Sequence, residues 1–159
     1  MGRRGHSLLF GGGDKGLMGA AARGVKSARG RIIGVAPRFF NADGILYPAC
    51  DEFFFTDTMR ERKQILEDKA DAFVAVPGGI GTFDELFEIL TLRQLGRHGK
   101  PIVLLNLRGY FDPLLALLDK AIEEGFLKEE CRALWAAFSN VEALLDYLEG
   151  YSGEAKFYK

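Results

Sequence analysis

Apolar residues in this chain come in two alternating rhythms. Short, nearly continuous apolar runs, the mark of strands buried on both faces, fall at residues 7–10, 31–36, 52–56, 72–76 and 102–105. Between them lie stretches with helical spacing, at residues 17–28, 57–70, 83–95, 112–125 and 141–149. Gly30 and Pro37 punctuate the first half, and Asn41-Ala42-Asp43-Gly44 gives a turn signal inside a loop over 38–50. Thr56 or Asp57 is the expected cap of the second helix, and Asp112-Pro113 has the cap-then-proline order of a helix start. Strand and helix in alternation predict an α/β protein of the Rossmann-like, doubly wound kind, a three-layer fold with a parallel sheet between helices. Neither a repeat nor a linker interrupts the pattern, so residues 1–159 read as a single nucleotide-binding domain, with 150–159 as a loosely held tail.

Composition narrows the function classes. A net charge of -1 argues against nucleic acid or an anionic membrane as partner, and the basic cluster Arg3, Arg4, Arg23, Lys26, Arg29, Arg31 reads as a solvated face. Cys50 and Cys131 stand far apart without a CxxC, which gives neither a zinc site nor a disulfide framework. With no apolar run of membrane-spanning length, a cytoplasmic protein is expected.

The chemistry concentrates after the fourth strand, at Pro77-Gly78-Gly79-Ile80-Gly81-Thr82-Phe83-Asp84-Glu85. A glycine-rich turn leading into a helix lets backbone N–H groups meet an anion, and the helix dipole favours negative charge there. Thr82 with Glu85 three residues later has the spacing of a capping box, so Glu85 is either a cap or an acidic site group. Farther along, Glu85, Glu88 and Thr91 continue a polar stripe on a helix otherwise apolar nearly all round, which predicts the wall of a polar cleft. A second glycine turn, Gly11-Gly12-Gly13-Asp14-Lys15-Gly16-Leu17-Met18-Gly19, follows the first strand. It matches neither the Rossmann fingerprint nor the P-loop, so it is either a phosphate cradle or a tight turn. On the helix after Asp57, Met59, Arg62, Lys63 and Leu66 share a face. Two cations on a partly apolar face want an anionic partner, or else they form ordinary surface pairs with Glu61 or Glu67. All three segments are expected at the carboxyl ends of strands, where open α/β sheets bind ligands.

Taken together, Pro77-Gly78-Gly79-x-Gly81-Thr82-x-x-Glu85, Met59-x-x-Arg62-Lys63 and Gly11-Gly12-Gly13-x-x-Gly16-Leu17-Met18-Gly19 resemble the LOG family from about His6 to Leu148. These are the cytokinin riboside 5'-monophosphate phosphoribohydrolases, formerly labelled lysine decarboxylases. The resemblance implies a homodimer that hydrolyses the N-glycosidic bond of a nucleoside 5'-monophosphate, such as AMP or an N6-modified AMP, to free base and ribose 5-phosphate. It puts the catalytic arginine on Arg62 and the catalytic glutamate on Glu85. Lys63, Gly78, Gly79, Ile80, Gly81, Thr82 and Thr91 fall on substrate-contacting positions, and Gly12, Gly13, Met59 and Glu88 complete the candidate set. Family members usually begin with one more strand and helix, about thirty residues, whose turn helps cradle the phosphate. That unit is not in this sequence.

The implied mechanism uses neither metal nor cofactor. Backbone N–H groups of Gly79 to Thr82 hold the 5'-phosphate, Glu85 stabilises an oxocarbenium-like sugar or activates water, and Arg62 keeps Glu85 ionised or contacts the ligand. His6 and His98 match no motif, and His98 reads as a surface residue. The base is expected against the loop over 37–50, where Phe39 and Phe40 serve equally well as core or as stacking residues. Leu90 and Leu95 fit a dimer interface. The alternative is a non-catalytic nucleotide-binding or molybdenum-cofactor-carrier-like protein. A decarboxylase would need a Schiff-base lysine, for which no lysine here has the context.

Overall fold

Each apolar run condenses into a short strand in the computed structural model, which describes residues 1–41 and 44–153. The chain divides into two compact units, Met1–Ala70 and Asp71–Lys159. In the first, β1 (Leu8–Phe10), β2 (Ile32–Pro37) and β3 (Glu52–Thr56) form a parallel three-stranded sheet in that order, with Leu8 opposite Ile32 and Val35 opposite Phe54. The helix α1 (Gly16–Ser27) buries Ala22 and Val25 with Phe10, Ile32 and Tyr47. Asp51 fastens the start of β3: its carboxylate accepts from Lys26 Nζ and from Ile32 N–H, both at 2.8 Å. The Lys26 bond, then the Ile32 bond, hold this carboxyl below the usual range, while burial pushes the neighbouring Cys50 thiol up. Residues 38–40 form a 3-10 turn, and the expected turn over 41–44 lies partly outside the described residues.

The helix α2 (Met59–Lys69) starts two residues later than its pattern suggests, and neither Thr56 nor Asp57 caps it. Thr58 does: its hydroxyl accepts from Glu61 N–H at 3.1 Å, and the Glu61 carboxylate returns to Asp57 N–H at 2.9 Å. That reciprocal pattern satisfies two donors that a helix start leaves open. Thr56 points its hydroxyl at the Thr58 carbonyl instead.

The second unit repeats the plan. Strands β4 (Phe73–Ala75), β5 (Ile102–Leu105) and β6 (Ala136–Phe138) form another parallel sheet with β5 in the middle. Alternation along β5 sends Ile102 and Leu104 to a core with Leu86, Leu90, Phe111, Cys131 and Leu134, and Val103 and Leu105 to a core with Leu144 and Leu145. The first of those cores is covered by α3 (Ile80–Gln94), the second by α5 (Val141–Glu149), so this sheet is sandwiched between helices. Between β5 and β6 lies α4 (Asp112–Glu123), whose cap is Phe111, so Asp112 is its first residue. The strand β6 had no sequence expectation. It has three residues, Ala-Ala-Phe, and carries no strand-forming run of its own.

Two polar side chains are drawn inward in this unit. Arg93 is 2% exposed, donating to the Leu134 carbonyl at 2.8 Å and to the Tyr151 hydroxyl at 2.5 Å, which ties the first part of the tail to α3. The rest of the expected tail, 154–159, lies outside the described residues. His98 is half-buried rather than a surface residue, with Nε2 3.0 Å from the Ile89 carbonyl, and desolvation pushes its imidazole below the ordinary range.

Candidate functional site

In the first unit Arg62 meets the chain where β1 ends. Arg62, on the first turn of α2, is 8% exposed, and its Nε donates to the Val35 carbonyl at 3.3 Å. Its guanidinium lies directly across Gly11: a Cβ there would stand 2.2 Å from Arg62 Nη2. A side chain at position 11 would therefore displace the arginine. Arg62 is therefore not a surface side chain, and a cation buried this deeply needs fixed acceptors. Lys63 is half-buried beside it, and Met59, at the exposed start of the helix, is 39% exposed.

The two glycines that follow Gly11 are also closely packed. Gly12 has φ +78° and would place a Cβ 2.6 Å from the Phe53 ring; at Gly13 it would stand 2.6 Å from Met18. Their strand end is tied to the next loop by Tyr47 N–H to the Gly12 carbonyl at 2.8 Å and Asp14 N–H to the Ile45 carbonyl at 2.9 Å. Asp14 itself is paired with Arg23 at 2.9 Å. A separate groove in this unit, lined by Arg38, Phe55, Asp57, Glu61, Gln64 and Ile65, contains none of the expected site residues.

In the second unit the glycine turn after β4 behaves differently from its sequence reading. The N-cap of α3 is Gly79, not Thr82, and no side chain caps it. Thr82 sits inside the first turn, where its N–H donates to the Gly79 carbonyl at 3.0 Å. Its side chain is turned back onto Gly78, whose absent Cβ would lie 2.2 Å from Thr82 Oγ1. Glu85 is consequently the sixth residue of the helix and stands too far in to close a capping box. Of its two readings, the cap is removed. Glu85 and Glu88 are half-buried, whereas Thr91 is exposed and donates its hydroxyl to the Phe87 carbonyl at 2.7 Å.

Around Gly79 and Gly81 the surroundings are open: a Cβ at either would meet nothing within 4 Å. Ile80 between them is 83% exposed. The turn thus presents bare backbone at a helix start, the arrangement suited to an anion. Sequence reasoning overlooked Gly11, whose emptiness belongs to Arg62, and Tyr110, whose hydroxyl donates to the Gly78 carbonyl. The first glycine of a Gly-Gly-Gly run gave no sign of the arginine it makes room for, and no motif reaches Tyr110.

Residues 18–148 match the family described as possible lysine decarboxylase. The chain is 42% identical over 149 residues to a probable cytokinin riboside 5'-monophosphate phosphoribohydrolase of Oryza sativa subsp. japonica, covering 94% of this chain and 67% of that one. It is 40% identical over 144 residues to a cytokinin riboside 5'-monophosphate phosphoribohydrolase of Arabidopsis thaliana, covering 91% of this chain and 68% of the relative. The chain belongs to the LOG family. Among solved structures, this LOG-family chain is similar to the molybdenum cofactor binding protein from the phototrophic bacterium Rippkaea orientalis, with TM-score 0.68 and 26% identity over 93% of this chain and 78% of that one. It is also similar to the molybdenum cofactor carrier protein from Chlamydomonas reinhardtii, with TM-score 0.66 and 26% identity over 94% and 81% of the two chains. These likenesses agree with the α/β, Rossmann-like architecture.

Proposed function

We propose that this chain hydrolyses the N-glycosidic bond of a nucleoside 5'-monophosphate, AMP or an N6-modified AMP, releasing free base and ribose 5-phosphate. The observation that carries this reading is the 42% identity, over 94% of the chain, to a relative named for that reaction. The carrier-like alternative rests on structural neighbours at 26% identity and is not favoured.

In this reading the bare backbone of Gly79, Ile80 and Gly81 receives the 5'-phosphate. The Thr82 N–H is engaged by the Gly79 carbonyl, so the anion falls to the three N–H groups before it. Glu85, released from any capping role, supports positive charge on the sugar as the glycosidic bond breaks, or takes a proton from the attacking water. Arg62 is the second catalytic group, and its fixed fork suits an oxyanion or the ribose hydroxyls. Lys63, Met59, Gly12, Gly13, Gly78, Thr82, Glu88 and Thr91 complete the binding set by the family resemblance. The reading also takes the protein as a cytoplasmic homodimer and the chain as one domain, for which a single urea transition seen by both Trp135 fluorescence and circular dichroism is the expected result.

The test is a product assay. The purified chain is incubated in EDTA with AMP and, separately, with an N6-prenylated AMP, and free base is quantified. Base release that falls by about 10²- to 10⁴-fold in Glu85→Gln supports the assignment. Release unchanged in that variant removes Glu85 from the mechanism. For Arg62 the informative variant is Arg62→Lys, because Arg62→Ala would also strand the Val35 carbonyl and empty the space over Gly11.

A further inference from the structure

The segment after β5 is built with unusual care for an exposed loop. Asn106 anchors it: its backbone N–H donates to the Phe138 carbonyl at 2.8 Å, its amide donates to Asp112 Oδ1 at 2.7 Å, and its side-chain oxygen accepts from Phe111 N–H at 2.7 Å. Two consecutive residues, Arg108 with φ 54° and Gly109 with φ 72°, adopt left-handed conformations. For an arginine that backbone is costly and needs surroundings that impose it. A Cβ on Gly109 would stand 2.3 Å from Asp112 Oδ2, so the turn closes tightly on the carboxylate that Asn106 holds. Phe111, fully buried, then seats the Tyr110 ring edge-on at 5.1 Å. The Tyr110 hydroxyl emerges from this frame onto the Gly78 carbonyl.

We infer that Tyr110 is a positioning residue for the phosphate-binding turn. A trans peptide is planar, so the Gly78 carbonyl and the Gly79 N–H point in opposite directions. Holding the carbonyl on the Tyr110 hydroxyl therefore fixes the direction of the Gly79 N–H, the first donor of the open turn. Gly78 and Gly79 would otherwise be the freest part of the loop, since neither has a side chain to restrain its peptide plane. Thr82 packs on Gly78, and Tyr110 holds the carbonyl of that peptide. The inference rests on the reading that this turn receives the substrate's phosphate.

Tyr110→Phe tests it, because the ring stays on Phe111 and only the hydroxyl is lost. The KM for AMP and the Kd for inorganic phosphate by calorimetry should both rise about three- to tenfold, with kcat changed less than about twofold. Competitive binding of adenosine, which lacks the phosphate, and the thermal midpoint should stay where they are in the wild type. Unchanged phosphate affinity, or adenosine weakened in parallel with AMP, overturns the assignment. A wild-type chain that releases no base yet binds phosphate more tightly than Tyr110→Phe upholds Tyr110 and overturns the hydrolase reading. Failure of the wild type to bind phosphate or AMP overturns both.

Discussion

At the scale of single residues, the glycines of the two candidate turns, one in each unit, divide into those that make room for protein and those that face open space. Gly11 is empty for Arg62, Gly12 for Phe53 and Gly78 for Thr82, whereas Gly79 and Gly81 face open space. The distinction predicts opposite outcomes for one substitution. Gly81→Ala adds a methyl that touches no protein atom inside a helix, so stability should hold or rise by up to about 1 kcal/mol. The same methyl intrudes where the phosphate sits, and kcat/KM for AMP should fall roughly ten- to a hundredfold. Thermal melts and base-release kinetics on one preparation decide it: unaltered kinetics would mean that the open space is not the anion's. His98 gives a second prediction at this scale. Its folded pKa is lowered by desolvation, so the unfolded chain takes up the proton first as pH falls. Its contribution to stability is complete above about pH 6.5 and is lost as the pH drops through the folded value. Urea midpoints between pH 7.5 and 5 should decline, and His98→Gln should flatten that decline while keeping a donor for the Ile89 carbonyl. An equally steep decline in the variant would assign the slope to other groups.

At the scale of elements, α2 shows how a local signal serves a distant side chain. The Thr58–Glu61–Asp57 bonds fix where the helix begins, and hence which turn carries Arg62. Thr58→Ala should cost about 1 kcal/mol of stability by loss of the cap. Its unfolding midpoint should drop while Glu61→Ala, which removes only the return bond, drops less. Equal midpoints for wild type and Thr58→Ala would show the cap to be idle. The element pattern was largely legible in the sequence because buried parallel strands and amphipathic helices have different periods. What escaped it has physical causes. The start of α3 was misplaced by a full turn because Gly79 and Gly81 argue for a loop on propensity, yet the first turn of a helix has no intrahelical donors to lose. β6 escaped because its three residues, none of them buried, are held by pairing to β5 and carry no apolar pattern of their own. The burial of Arg62 and the Tyr110–Gly78 bond are tertiary facts: spacing along α2 left the arginine open between surface and site, and no spacing links residues 78 and 110.

At the scale of the whole molecule, the same strand–helix grammar is used twice with unequal cover. In the first unit one cluster of five buried residues, Phe10, Ala22, Val25, Ile32 and Tyr47, gathers around β1, β2 and α1. In the second, β5 is buried along its entire length, with separate clusters on its two faces. Opening free energy rises with the apolar contacts that must be broken, so the two sheets should not protect their amides alike. Hydrogen exchange should find the slowest amides in Ile102–Leu105, followed by β2, with β1 and the strand ends faster. The ordering has a functional side. β5 carries the Asn106 frame at its carboxyl end, so the most protected strand supports Tyr110 and, through it, the Gly78–Gly79 peptide. If Ile32–Pro37 exchanges as slowly as Ile102–Leu105, the extra cover on β5 confers no added protection. A slow β5 together with fast exchange at Gly79 to Gly81 is the expected pattern, since these residues are exposed at a helix start, where amides have no intrahelical acceptor. Added phosphate should then slow Gly79 to Gly81 and leave β5 as it was.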